Sequence, residues 1–240
     1  MLSKNEVKYI QSLCHKKQRQ QERVFIAEGA KIIEELIASN YVVKKLFVTE
    51  KYLLQNRFTN AVITEVSTQE MDKISLMDNA TDVLAIVEQK PNEIPAVKGK
   101  LNLVLDGIQD PGNFGTIIRI ADWYGIENIL CSSDTVDLYN NKVIQSTMGS
   151  FVRVNVWFGD LKTIFQENLL PVFATVLNGK NLYEQNKIDE GFLIIGNEGK
   201  GIREDTLSFV QHSLTIPKRG GAESLNAAVA TGILLSWLTK

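Results

Sequence analysis

Residues 101–125 read LNLVLDGIQDPGNFGTIIRIADWYG. The first six, LNLVLD, are apolar on both faces of an extended chain, the pattern of a strand that helices cover from two sides. Asp110-Pro111-Gly112-Asn113 is a turn leading into a helix, with Asn113 expected to cap it through its side-chain oxygen. Phe114, Ile117, Ile118, Ala121 and Tyr124 then recur at helical spacing as one buried stripe. Strand, loop and helix in so short a stretch are the repeating unit of a parallel α/β sheet.

The alternation extends both ways. Downstream, strands are expected at 128–131, 152–157, 172–176, 192–196 and 213–217, and helices at 140–147, 160–168, 204–210 and 224–238. Upstream, QKPNEIPAVKGK at 89–100 has prolines, a glycine and no apolar period, and reads as a linker. Before it, a helix over 3–23 opens with the capping-box spacing of Ser3 and Glu6. Strands at 24–27, 42–49, 61–66 and 83–88 alternate with helices at 30–39 and 68–75. The chain divides into a small N-terminal α/β domain (1–90), a linker (91–100) and a C-terminal parallel-sheet α/β domain (101–240).

Composition narrows the class of function. Of 240 residues 44% are apolar and the formal charge is −2, a balance that excludes disorder, fibrous folds and bulk coating of nucleic acid. Cys14 and Cys131 stand far apart, as do His15 and His212, so neither a metal site nor a disulfide framework is expected. The opening MLSKNEVKYIQ carries charges where a secretory leader needs an apolar core, and no apolar run approaches the ~18–20 residues of a membrane span. A reducing, cytoplasmic setting without membrane contact is expected.

Ligands of an open parallel sheet gather where loops leave the carboxyl ends of strands. Three such loops are rich in small and amide residues. In the first, 105–125, Arg119 lies off the apolar stripe and either pairs with Asp122 or faces an anion near the amino end of its helix. The second, GFLIIGNEGKGI at 191–202, lacks the terminal Lys-Ser/Thr of a phosphate loop and the G-x-G-x-x-G of a dinucleotide fold. Glu198 within it repels phosphate, so a ligand offering a cation or hydroxyls, a sulfonium cofactor among them, is the better match. The third, TIPKRGGAESLNAAVATGILLSWL at 215–238, joins a basic loop with Lys218 and Arg219 to a helix that Ser224 is expected to cap, with Asn226 in its first turn. Ala227, Ala228, Ala230 and Gly232 there let a backbone, a ligand or a partner helix come close.

Taken in order, N-x-G-x-x-x-R at Asn113, Gly115 and Arg119, G-N-E-G-x-G-I from Gly196, and I-P-x(5)-E-S-L-N from Ile216 to Asn226 resemble the three motifs of the SpoU (TrmH-type) RNA 2′-O-ribose methyltransferases of the SPOUT superfamily. The N-terminal domain, with Phe25-Ile26-Ala27-Glu28-Gly29 after a basic helix, is similar to that family's small RNA-binding domain, itself similar to a ribosomal protein. The resemblance implies a C-terminal trefoil knot, a homodimer with the site near the subunit interface, and an S-adenosylmethionine-dependent transfer to a ribose 2′-hydroxyl of rRNA or tRNA, rRNA favoured, with S-adenosylhomocysteine as product and no metal. Carried over residue by residue, it assigns catalytic or site-shaping roles to Asn113, Arg119, Glu198, Ser224 and Asn226. It assigns the cofactor cradle to Gly196, Asn197, Gly199, Ile216 and Leu225, with Thr175, Val176 and Leu177 as a third wall. The chain departs from the family pattern at Asn141, where proline is common, at Ala228, where serine is frequent, and at Asp82, where glycine is frequent.

With that resemblance the charge count changes meaning. Residues 1–23 hold Lys4, Lys8, Lys16, Lys17, Arg19 and Arg23 against Glu6 and Glu22, a local sum of 6 − 2 = +4. These six, with Lys218 and Arg219, are the expected contacts to RNA phosphates, weakened steeply by salt. Two rivals stand beside this reading: a non-catalytic RNA-binding protein on the same scaffold, which needs neither Glu198 nor the Ser-Leu-Asn segment, and a nucleotide-dependent enzyme of Rossmann type, which lacks its fingerprint.

Overall fold

The computed structural model describes residues 1–55 and 62–239. Residue 61, the expected start of a strand, lies outside them. The chain forms α1 (Lys4–Ser12), α2 (Lys16–Glu22), β1 (Val24–Glu28), α3 (Ala30–Ile37), β2 (Val43–Val48), α4 (Glu50–Gln55), β3 (Ile63–Glu65), α5 (Thr68–Ile74) and β4 (Val83–Glu88). There follow β5 (Leu101–Asp106), α6 (Pro111–Trp123), β6 (Asn128–Ser132), α7 (Asn141–Thr147), β7 (Asn155–Gly159) and α8 (Leu161–Glu167). The last elements are β8 (Val172–Asn181), β9 (Gly191–Gly196), α9 (Glu204–Leu207), β10 (His212–Thr215) and α10 (Ala227–Leu238). Two compact units result, Met1–Pro91 with Asp137–Val152, and Asn92–Val136 with Arg153–Lys240.

In the first unit a sheet of order β1-β4-β2-β3 has β4 antiparallel to β1 and β2, and β3 parallel to β2. Ile10 and Leu13 from the amino end, Ile26, Phe47 and Leu84 from the strands, and Met71 and Ile74 from α5 form one core, each burial contributing about 1.5–3 kcal/mol. The capping box closes as expected: Ser3 Oγ accepts the Glu6 N–H at 3.2 Å, and Glu6 Oε2 accepts the Ser3 N–H at 3.0 Å.

The helix expected over 3–23 is instead two helices, α1 and α2. Leu13 is buried, but Lys16–Glu22 offers no apolar residue to continue the stripe, and Arg19 Nη1 donates to the carbonyls of Leu13 and Cys14 at 2.9 and 2.7 Å. Those two carbonyls are the ones a continuous helix would give to the amides four residues on.

Residues 137–152 read in the sequence as part of the C-terminal domain, yet they pack in the first unit. The Phe25 ring lies 4.6 Å from Tyr139 and 5.9 Å from Phe151, and Gln145 Nε2 donates to the Glu28 carbonyl at 2.9 Å. Two departures from the family pattern make contacts here: Asn141 Nδ2 donates to the Leu76 carbonyl at 3.2 Å, and Asp82 accepts from Thr49 Oγ1 at 3.0 Å.

The second unit is a six-stranded, all-parallel sheet of order β10-β8-β9-β5-β6-β7, the architecture the apolar strand runs predict. Val104, Leu130, Phe192 and Ile194 pack against Leu161, Ile164 and Phe165 on one face. At the amino ends of β7, β6 and β5 Asn155 Nδ2 donates to Asn128 Oδ1 at 3.0 Å and Asn128 Nδ2 to Asn102 Oδ1 at 2.9 Å. Asn102 Nδ2 in turn holds the carbonyls of Val97 and Lys100, which pins the segment entering β5. Boundaries shift in several places: a 3-10 turn at Ser150–Val152 delays β7, β8 runs on to Asn181, α9 ends at Leu207, β10 ends at Thr215 and α10 begins at Ala227.

Candidate active site

The carboxyl ends of β5, β9 and β10 carry the three loops. Asp110, not Asn113, caps α6, its Oδ1 accepting the Asn113 N–H at 2.7 Å, with Pro111 as the first helical residue. Pro111 has no N–H to satisfy and suits that position. Asn113 sits one turn further in, and its side-chain amide is thereby free for other partners.

Asn226, not Ser224, caps α10: its Oδ1 accepts the N–H groups of Ala228 and Val229 at 2.9 and 3.2 Å. An amide whose oxygen is committed to a helix start has only its nitrogen left to offer. Asn226 Nδ2 accordingly donates to Asn113 Oδ1 at 2.8 Å, and Asn113 Nδ2 donates to Glu198 Oε1 at 2.9 Å. One line of hydrogen bonds joins all three loops, and the helix end sets its direction, leaving Glu198 as terminal acceptor. Ser224 lies exposed two residues before the cap and, among the described residues, makes no hydrogen bond.

Arg119 is exposed. Its expected partner Asp122 is held by Arg153, whose Nε and Nη2 reach the carboxylate at 3.0 and 2.8 Å. Among the described residues Arg119 has no ion pair, so the expected pairing with Asp122 does not form.

The glycine loop is built around Asn197. Its backbone exchanges hydrogen bonds with Gly201 at 3.0 and 2.9 Å, its Oδ1 accepts the N–H groups of Gly199 and Lys200 at 3.0 Å, and its Nδ2 donates to the Gly107 carbonyl at 2.7 Å. A phosphate-binding loop keeps such amides free to face its ligand. Here Asn197 consumes those of Gly199, Lys200 and Gly201, and the loop's exposed carboxylate, Glu198, accepts from Asn113. A Cβ on Gly196 would lie 2.5 Å from the Gly201 carbonyl carbon, so only glycine permits this return of the chain.

Sequence reasoning missed the anchor of that loop. The fully buried Asp106 carboxylate ends β5 and accepts the Arg203 N–H at 2.9 Å and its Nη2, while Arg203 Nη1 reaches Asp134 at 3.4 Å. The Ser132 hydroxyl, with Arg203 adding to it, holds the Asp134 carboxyl below the usual carboxylate range. The one local signal was an acid closing an apolar strand; its partner lies 97 residues on.

On the β8 side, residues 175–179 leave the ladder: Ser213 pairs with Ala174, but Leu214 pairs with Lys180. Thr175 Oγ1 donates to the Ile194 carbonyl and Thr215 Oγ1 to the Leu177 carbonyl, both at 3.1 Å. Val176 packs against the core, whereas Leu177 is 73% exposed and Leu225 48% exposed, with Ile216 half-buried. Exposed apolar side chains on these loops, together with the exposed carboxylate of Glu198, suit a ligand with a flat apolar part and a cation or hydroxyls. The residues expected to hold S-adenosylmethionine fit that description.

Of the expected RNA contacts, Lys4, Lys8, Lys16, Lys17, Arg23, Lys218 and Arg219 are exposed. Arg19 is not available for phosphate: it is 3% exposed and its Nη2 is paired with Asp137 at 2.6 Å. No helix among the described residues is long and apolar enough to cross a membrane, and none of their His, Cys, Asp and Glu side chains group as a metal site.

The profile of the SpoU rRNA Methylase family matches residues 100–236, and that of the MRM3-like substrate binding domain matches residues 4–85. The chain is 31% identical to the 23S rRNA (guanosine(2553)-2'-O)-methyltransferase RlmP of Bacillus subtilis, over 97% of this chain and 96% of that one. It is 29% identical to the 23S rRNA (guanosine-2'-O-)-methyltransferase RlmB of Escherichia coli K12, over 72% and 77%. Among solved structures, a TrmH-family protein from Porphyromonas gingivalis superposes with TM-score 0.89 at 34% identity, covering 98% and 97% of the two chains. An AdoMet-bound rRNA methyltransferase from Sinorhizobium meliloti superposes with TM-score 0.86 at 30% identity, covering 98% and 94%. Matched by a family profile over more than half its length and by relatives from end to end, the chain belongs to the SpoU rRNA methylase family.

Proposed function

We propose that this protein methylates a ribose 2′-hydroxyl of ribosomal RNA with S-adenosylmethionine as donor. The observation that carries the reading is the line Glu198–Asn113–Asn226, which ties three motif loops together at the carboxyl ends of parallel strands, with Arg119 of the same helix as Asn113 exposed and without an ion pair among the described residues. Bound S-adenosylmethionine supplies a methyl group made electrophilic by its sulfonium. The protein's own work is to hold the RNA. A guanidinium is no base for the hydroxyl proton. That of Arg119 clamps the target phosphate, and the 2′-hydroxyl proton passes to an oxygen of that phosphate. Asn113, Ser224 and Asn226 orient the ribose, so that much of the rate comes from positioning. Thr175, Val176, Leu177, Ile216 and Leu225 with the Gly196–Asn197–Gly199 turn form the cofactor cradle.

The first unit binds RNA, and the second carries out the transfer. The reading includes a trefoil-knotted C-terminal fold, a cytoplasmic setting and a homodimer. The dimer is supported by exposed apolar side chains on two helices that pack together, Trp123 of α6 and Val229 of α10, 84% and 52% exposed. Calorimetry with S-adenosylmethionine and mapping of 2′-O-methyl nucleotides in rRNA from cells with and without the protein test the reading. Binding of the cofactor together with one missing rRNA methyl in the deficient cells is the expected outcome; a folded protein that binds no cofactor would point instead to an RNA-binding protein on the same scaffold.

A further inference from the structure

Helix α2 has no apolar residue, KKQRQQE, and seven residues of such composition do not hold a helix by themselves. Its one buried side chain is Arg19. Nη1 donates to the Leu13 and Cys14 carbonyls at the end of α1, Nη2 donates to Asp137 Oδ2 at 2.6 Å, and Nε has no partner among the described residues. A buried ion pair is a poor source of stability, since apolar residues of like volume often hold a site as well or better. What a guanidinium fork does and a leucine cannot is fix angles, because its donors accept only certain directions. Arg19 therefore sets α2 against the carboxyl end of α1 and against the segment holding Asp137.

The charges displayed by this arrangement are mostly unpaired cations. Elsewhere in the first unit Lys31, Lys44 and Lys51 are paired with Glu35, Glu88 and Asp82, and Lys45 with Glu6 of α1, while Lys73 of α5, Lys90 after β4 and Lys142 of α7 are exposed without an ion pair among the described residues. Lys4 and Lys8 of α1, Lys16 and Lys17 of α2, and Arg23 just after it are exposed and, among the described residues, have no ion pair. We infer that α1 and α2 form a face for RNA phosphates and that the Arg19–Asp137 pair is its positioning device, holding the lysines of α2 in register with the RNA backbone. The inference rests on the ribosomal RNA reading and adds to it where the RNA is gripped and by what the grip is set.

The test compares wild type, Lys16→Gln/Lys17→Gln and the apolar replacement Arg19→Met/Asp137→Leu. Each is measured for affinity to protein-free 23S ribosomal RNA over a salt series, for S-adenosylmethionine binding by calorimetry, and for thermal unfolding. Losing two phosphate contacts reduces the slope of log affinity against log salt by about 1.5 and weakens binding by about tenfold. The lysine variant should show this loss. The apolar variant should show it as well while unfolding cooperatively and binding the cofactor as wild type does, and combining the two should add nothing. A folded apolar variant with the wild-type salt slope, or one that fails to fold, overturns the positioning role. An unchanged slope in the lysine variant overturns the face. A wild type that binds the cofactor but not RNA overturns this inference alone, whereas one that binds RNA but not the cofactor overturns the methyltransferase reading and leaves the face standing.

Discussion

Asn226 shows how much one residue settles. Its oxygen is spent on the start of α10, so its nitrogen has to point outward, and the whole line to Glu198 inherits that polarity. Among the described residues Arg119 has no ion pair, Asp122 being held by Arg153, and the clamp proposed for it rests on that. Arg119→Lys should lower turnover by about 10²-fold, the scale of losing one fixed donor to developing charge, with the pH profile unmoved because neither side chain gives up its proton in the working range. Near-native turnover in a single-turnover assay would rule out the clamp. Glu28 carries a separate prediction. Burial raises its carboxyl above the ordinary 4.5, with the Ser75 hydroxyl and Leu76 N–H opposing in part. The native state then holds this proton more tightly than the unfolded chain, so the contribution is present below that value and is lost as pH rises through the raised one. In urea melts the stability of wild type relative to Glu28→Gln should fall as pH rises from about 4; a difference that stays flat sinks the assignment.

Among the elements, the strands and helices were legible wherever a local pattern specifies them. LNLVLD became β5, and the Ser3–Glu6 spacing became a formed capping box. The caps of α6 and α10 were misread by a few residues, since Asp110 and Asn113, like Ser224 and Asn226, all suit a cap and only the backbone path chooses between them. The Gly196–Gly201 turn is where an element depends on a missing side chain. Gly196→Ala would push a methyl into the Gly201 backbone 2.5 Å away and displace Asn197 and Glu198 with it. Calorimetry should show at least about tenfold weaker cofactor binding in a protein whose first unit is unchanged, which 1.4 kcal/mol of lost binding suffices to produce. Wild-type affinity would mean the turn yields without moving the cradle.

At the scale of the whole molecule, the chain returns to its first unit for residues 137–152 after it has begun the second. Phe151 lies within the SpoU match, yet its ring is 5.9 Å from Phe25 and 5.4 Å from Tyr41. Phe151→Ala should cost about 3–5 kcal/mol, the usual toll of an aromatic deleted from a core. The loss belongs to the first unit: hydrogen exchange should quicken in β1 and α3 and not in β5 or β9. Faster exchange confined to the second unit would contradict the division.

By itself the sequence determined the two α/β regions, the parallel sheet, the three motif loops and the basic amino end, because period, caps and turns act over a few residues. Only the tertiary structure decided that Arg19 is an internal clamp, that Asp122 belongs to Arg153, that Asp106 anchors the glycine loop, and that Asn113 links Glu198 to Asn226. Those contacts join residues between 31 and 118 positions apart. No local pattern encodes them, since an arginine suits solvent, an RNA phosphate or a buried carboxylate equally until the fold sets its neighbours.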